Sequence, residues 1–253
     1  MQIAISFMAF MAVFTVVVLV HELGHFIAAR RSGIKVYEFS IGFPFSPRLF
    51  TLFRHRETEF TLRLLPLGGF VSFSRDDVTD DAKALLETSH AKRVLIMSAG
   101  SLFNIAFALI LFIPLFMAGK HLGFLDAVSL SFRTFWEALA GTVMFLVNMV
   151  SGHGALGGVS GPIGIAAMAG KAATRGMINL LYFTGVLSLS LGIMNLIPFP
   201  ALDGGQLAMV FGEWIRKKPF SPRTYQVTTL AGLALFALLT AIISIKDIMR
   251  LVA

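Results

Sequence analysis

The chain reads His21-Glu22-Leu23-Gly24-His25 within an apolar stretch. On a helix, side chains four residues apart share one face, so the two imidazoles can grip one metal ion. Glu22 lies beside them, placed to take a proton from a water that the metal activates. Shuffling a chain of this composition produces such a pattern in roughly 0.4% of cases, so chance explains it poorly. The plainer account is a pair of core histidines near a helix end with Glu22 at an interface. Against it, three ionisable groups in a membrane helix are costly and are functional by default.

The surrounding elements must hold these groups. Of 253 residues, 56% are hydrophobic and 14% charged, and the mean hydropathy is +0.80. A soluble domain carries about 25% charge. In water this chain would expose too much apolar surface, which a bilayer resolves. There is no cysteine, hence no disulfide framework and no thiolate metal site. Four uncharged runs are long enough to span: Ile3–Val20 with its helical pattern running on to about Ala29, Val94–Gly119, Met177–Leu202 and Tyr225–Ile245. The expected fold is an all-α polytopic membrane protein of about four transmembrane helices, at about 3–29, 94–119, 177–202 and 225–245. The first run is no signal peptide, because it lacks a basic start, is too long, and ends in the metal motif. Ala138–Val150 is apolar but short, and Gly- and Ser-rich sequence follows. The segment at about 127–170 therefore reads as interfacial or re-entrant.

Between the first two spans, Phe60, Leu62 and Leu64 alternate with Thr61 and Arg63, the period of a strand. Pro66, Gly68 and Gly69 supply a turn, and Phe70-Val71-Ser72-Phe73 can return. The expectation is a membrane-associated β-hairpin at about 58–73, its outer return strand offering an open edge. Gly69 and Val71 on that strand are candidate substrate-binding residues, because an open edge can pair with an unwound chain. The acidic run Asp76–Asp81 reads as a solvated face or helix start.

Lys and Arg set the orientation. The segment from Phe26 to Arg93 holds 11 of the 21, and that around 213–224 holds 4. Positive residues stay cytoplasmic. With four spans both termini face outward, and the metal motif lies near the cytoplasmic side.

A catalytic zinc takes three protein ligands and keeps one position open. His55 and His90 fall in the polar loop, and His121 and His153 on the outer side. Asp203 ends the third span at the depth of His25, after Asn195-Leu196-Ile197-Pro198-Phe199-Pro200-Ala201-Leu202 and before Gly204-Gly205. The prolines and glycines break the helix and free backbone groups. Asp203 is the candidate third ligand; its other reading is a helix cap.

These two motifs resemble the site-2 protease family of intramembrane zinc metalloproteases, closest to the bacterial regulator-of-sigma-E protease branch. Residues 58–73 resemble that branch's re-entrant hairpin, and Ser160-Gly161-Pro162 its segment before the third span. The resemblance implies one zinc ion on His21, His25 and Asp203, with Glu22 as general base. It implies that Asn195, Pro198 and Pro200 help hold substrate. It also implies a multi-pass protein of the bacterial inner membrane that cuts within or near transmembrane helices, such as those of anti-sigma factors or remnant signal peptides. Two departures stand out. Gly100-Ser101-Leu102-Phe103-Asn104 lacks the proline that the family often has after the glycine. Only about 40 residues separate Gly119 from Ser160, too few for the branch's PDZ domain, since a folded domain needs about 50 or more. The expected partners are lipid and membrane-helix substrates, not nucleic acid. The rival reading is a non-proteolytic membrane metal-binding protein or transporter. A transporter needs ionisable groups along a path, and outside the site the span interiors carry none.

Overall fold

The computed structural model describes residues 2–42, 46–65, 68–73, 88–151 and 160–252. Helix α1 (Gln2–Arg31) leads into strands β1 (Glu38–Ile41), β2 (Arg48–His55), β3 (Thr58–Arg63) and β4 (Gly69–Ser72). The rest is helical: α2 (His90–Lys120), α3 (Phe124–Val150), α4 (Pro162–Thr174), α5 (Met177–Asn195), α6 (Asp203–Arg216) and α7 (Pro222–Val252). The acidic run at 76–81 lies outside the described residues.

Among the described residues, five helices are long and apolar enough to cross a membrane: α1, α2, α3, α5 and α7. Four were expected, and α3 is the addition. Arg133 and Glu137 break its apolar run in the sequence. In the fold they pair one helical turn apart, with Nε donating to Oε1 at 2.8 Å, and the helix runs straight through them. The segment read as interfacial at 127–170 thus holds a 27-residue helix and the separate, shorter α4. The third expected span also stops early. Helix α5 ends at Asn195, and the prolines that follow, which lack a backbone donor, form a loop up to Asp203.

The four strands make one sheet in the order β2-β3-β1-β4. The expected hairpin at 58–73 is corrected here. Its strands exist as β3 and β4, but β1 lies between them, parallel to β3 and antiparallel to β4. The hairpin partner of β3 is β2, through a turn where Arg56 takes a φ of 55°. Alternation fixes which face a residue takes, not which strand lies alongside. Strand β1 is too short to show a period, and β2 has Leu49, Phe50, Leu52 and Phe53 on both faces, so neither stood out. Strand β4 does lie at an edge, as expected.

Two compact units emerge. One comprises Phe14–Phe103 and Asn195–Ala234. Its core joins Ala28 and Ala29 of α1, Val36, and Ile96, Met97 and Ala99 of α2, with Val71 and Leu207 packed against them. Phe26 of α1 meets Phe39 and Phe60 of the sheet edge to face. The other unit comprises Met1–Val13, Asn104–Met194 and Leu235–Ala253. Its core joins Ala108, Phe112, Leu115 and Phe116 of α2, Ala127 of α3, and Leu189 and Ile193 of α5. There Gly185 leaves room for the Phe112 ring, and Ser188 donates to the Asn104 carbonyl at 2.9 Å.

Candidate metal centre

His21 and His25 sit on one face of α1, and Asp203 is the first residue of α6. Their ligand atoms form a near-equilateral triangle. His21 Nε2 and His25 Nε2 are 3.2 Å apart. Asp203 Oδ2 lies 3.2 Å from the first and 3.3 Å from the second. A tetrahedral zinc with bonds of about 2.0–2.1 Å sets its ligand atoms about 3.3 Å apart. The triangle is therefore the size of one face of a zinc tetrahedron.

The surrounding hydrogen bonds agree. His25 Nδ1 donates to the Ile96 carbonyl at 2.7 Å, which leaves the Nε2 lone pair facing the triangle. Asp203 Oδ2 is buried and makes no hydrogen bond of sound geometry, although two ring nitrogens are close. Two imidazole nitrogens and a carboxylate oxygen drawn this close together are an arrangement that a cation would hold. This donor set, two imidazoles and a carboxylate, suits zinc.

Close backbone approach builds the pocket. A Cβ on Gly100 of α2 would overlap His25 Nε2 and lie 2.8 Å from His21 Nε2. A Cβ on Gly24 would strike the Ala99 carbonyl, so α1 and α2 cross on small residues. On the opposite side, the backbone of Gly69 in β4 rests on Glu22. A Cβ there would come 3.0 Å from Glu22 Cγ and 3.3 Å from Val18 Cγ1. Glu22 is half-buried between the histidines' helix and the sheet.

The loop from α5 to α6 delivers Asp203. Leu202 N–H donates to the Phe199 carbonyl at 3.1 Å, closing a turn in which Ala201 has a φ of 80°. That is a type II turn with Pro200 at its second position. Gly204 and Gly205 pack directly on the carbonyls of Leu196, Ile197 and Phe199, and Gly232 of α7 on that of Pro200. Asp203 is the first residue of α6, and the cap position before it is held by Leu202, which makes no side-chain capping hydrogen bond. The Asp203 carboxylate goes to the histidines.

The residues expected to touch substrate fall in two places. Asn195 ends α5, half-buried, with Pro198 exposed and Pro200 half-buried in the loop beyond. Gly69 and Val71 lie on β4, whose outer side pairs with no other strand among the described residues. The Gly42 N–H bonds the Gly68 carbonyl across β1, so by alternation 68, 70 and 72 face β1 while Gly69 and Val71 face outward. Ile96, Gly100 and Gly24 had not been expected at the site. Their signal was the small-residue pattern of Gly24, Ala99 and Gly100 on neighbouring apolar helices.

The model for "Peptidase family M50" matches residues 9–239. A provisionally named zinc metalloprotease of Clostridium perfringens is 29% identical over an alignment of 324 residues, covering 93% of this chain and 96% of that protein. A similarly named protein of Neisseria meningitidis is 40% identical over 110 residues, or 44% of this chain and 25% of its own. The regulator of sigma-W protease RasP of Bacillus subtilis is 37% identical over 129 residues, or 51% of this chain and 31% of that protein.

Proposed function

We propose, from the premise that this chain belongs to peptidase family M50, the site-2 proteases, that it hydrolyses membrane-helix substrates with one zinc ion on His21, His25 and Asp203. It is an intramembrane zinc metalloprotease. The ligand triangle, with edges of 3.2, 3.2 and 3.3 Å, is the observation that carries the assignment. When bound, zinc supplies Lewis acidity, which polarises the scissile carbonyl and eases ionisation of water. Glu22 takes the water's proton as its oxygen bonds the carbonyl carbon, then gives that proton to the amide nitrogen as the C–N bond breaks. The test is zinc per chain and cleavage of a co-expressed membrane helix. His21→Ala, His25→Ala and Asp203→Ala should each lower bound zinc. Stoichiometric, tightly held zinc in Asp203→Ala would move the third ligand elsewhere.

The charge rule supports four crossings with both termini outside a bacterial plasma membrane, with the segment that holds α3 interfacial or re-entrant. Helix α4, 13 residues long, is too short to cross. The basic segments at 30–93 and 216–223 lie on the metal-site side, which the charge rule makes cytoplasmic. The chain has no cysteine, so single reporters such as Arg56→Cys and His121→Cys are direct probes. Labelling of the first from the cytoplasm and the second from outside is expected; the same side for both would refute the topology.

The stretch from Gly119 to Ser160 is too short for a PDZ domain on this reading, and the 324-position alignment of a 253-residue chain is in keeping with longer relatives. Substrates would then be selected at the cleft itself. Anti-sigma factors or remnant signal peptides fit, since either presents a single helix. Their carbonyls are tied up in helical hydrogen bonds, so the helix must unwind locally. An unwound stretch can add to the outer edge of β4 at Gly69 and Val71, with Asn195 and the loop through Pro198 and Pro200 on its other side. Val71→Pro removes one pairing donor. Cleavage of stable helices should fall far more than cleavage of helices weakened by Gly or Pro. Equal losses would leave the strand as a plug against lipid.

A further inference from the structure

Helix α2 carries no ligand, yet it touches everything that does. Its Ile96 carbonyl holds His25, and its Gly100 lies against both imidazoles. Arg93 stands on the same face, three residues before Ile96 and seven before Gly100. It is 4% exposed, and its guanidinium donates to Glu213 Oε2 and to the Tyr225 hydroxyl. Glu213 is fully buried and lies on α6, the helix that begins with Asp203. Its other oxygen, Oε1, accepts the Phe220 N–H at 2.8 Å, and His90 Nε2 lies 3.7 Å from Oε2. Leu207, one turn beyond Asp203, packs against the cluster of Ile96, Met97 and Ala99.

Ionisable groups this deep in an apolar chain are expensive to keep. The Arg93 fork is directional, unlike an apolar contact. We propose that Arg93 and Glu213 are positioning residues for zinc binding. They lock α6 to α2, and so hold the Asp203 carboxylate in the triangle that α2 already fixes at His21 and His25. This rests on the assignment of Asp203 as third ligand. Without the lock, α6 keeps its apolar contact through Leu207 but loses the fixed orientation, and Asp203 no longer meets the two histidines in one geometry.

The structure supplies its own control. Asp247 is also buried, 4% exposed, and its Oδ2 accepts the N–H groups of Gly161 and Gly164 at 2.8 Å each, pinning α4 to α7 in the other unit. Losing either carboxylate should lower stability, but only Glu213 should affect zinc.

The experiment uses the purified full chain in detergent. Zinc affinity is read by competition with a chromophoric chelator, and stability by thermal unfolding of the metal-free protein. Glu213→Gln is expected to weaken zinc tenfold or more, within the about 10–100-fold loss typical of supporting partners in metal sites. Asp247→Asn should lower the unfolding temperature at wild-type zinc affinity. The double variant Arg93→Met/Glu213→Met removes the buried charges together and should regain metal-free stability while binding zinc weakly. Wild-type affinity in Glu213→Gln, equal weakening in Asp247→Asn, or restored affinity in the double variant would each overturn the proposal. Asp203→Asn separates the two levels. If it binds zinc as wild type does, the ligand assignment falls and the proposal with it. If it loses zinc while Glu213→Gln keeps it, the proposal alone falls.

Discussion

The two units bury polar groups by different means. In the unit with the metal centre, side chain meets side chain: Arg93 meets Glu213, and Asp203 meets two histidines. In the other, neutral backbone does the work: Asp247 takes two amide N–H groups, and Ser188 bonds the Asn104 carbonyl. Glycine follows the same division. Gly100 and Gly69 bring backbone against the histidines and Glu22, whereas Gly185 makes room for the Phe112 ring. On the proposed function, one unit places atoms for chemistry and the other packs helices. A change of similar size should therefore read out as lost zinc or lost cleavage in the first, and as lost stability in the second.

Gly100→Ala should be the most damaging test of that division. Its methyl would occupy the space of His25 Nε2, and the helix crossing at Gly24 and Ala99 has no slack to yield. Zinc per chain should fall to a small fraction and cleavage to background. A fully loaded, active Gly100→Ala would mean that α1 and α2 cross less closely than described.

Glu22→Gln should lower cleavage by about 10²–10⁴-fold, the usual worth of a positioned base, and leave zinc in place. The amide keeps the shape beside Gly69 but cannot accept the proton. Loss of zinc in this variant would make Glu22 a ligand or support, and the split between metal holding and proton transfer would dissolve.

In the other unit, Gly185→Leu should strain the contact with Phe112 and cost about 1–3 kcal/mol, as overpacking does. Unfolding temperature should drop while zinc affinity stays. Loss of zinc together with stability would show that the units are less independent than their contents suggest.

The smallest effect is expected at Ala201. Its φ of 80° suits glycine at the third position of a type II turn. Ala201→Gly should raise stability by about 1 kcal/mol, visible as a modest rise in unfolding temperature at unchanged activity.

Much of the metal centre was legible in the chain. His21 and His25 are bound together by helix period alone, and Glu22 by adjacency. Asp203 needed one further step, because a zinc pair lacks a third ligand and Asp203 stands at matching depth after a broken helix. The apolar runs marked four helices for a simple reason: lipid demands length and absence of charge, and both are properties of sequence. Beyond that, local pattern could not reach. Strand order needed the tertiary fold, because the period of β3 and β4 says nothing of β1 between them. Helix α3 was hidden by Arg133 and Glu137, whose charges cancel only when a helix already places them together. Arg93 looked like one cytoplasmic charge among many. Only the fold, by bringing positions 93, 213 and 225 together, turns it into a buried partner of the helix that bears Asp203. Sequence alone proposed the ligands and the base, because helix period pairs His21 with His25, adjacency adds Glu22, and a broken helix singles out Asp203. The tertiary structure decided what holds them, because those contacts join residues far apart in the chain, from 71 positions between His25 and Ile96 to 120 between Arg93 and Glu213.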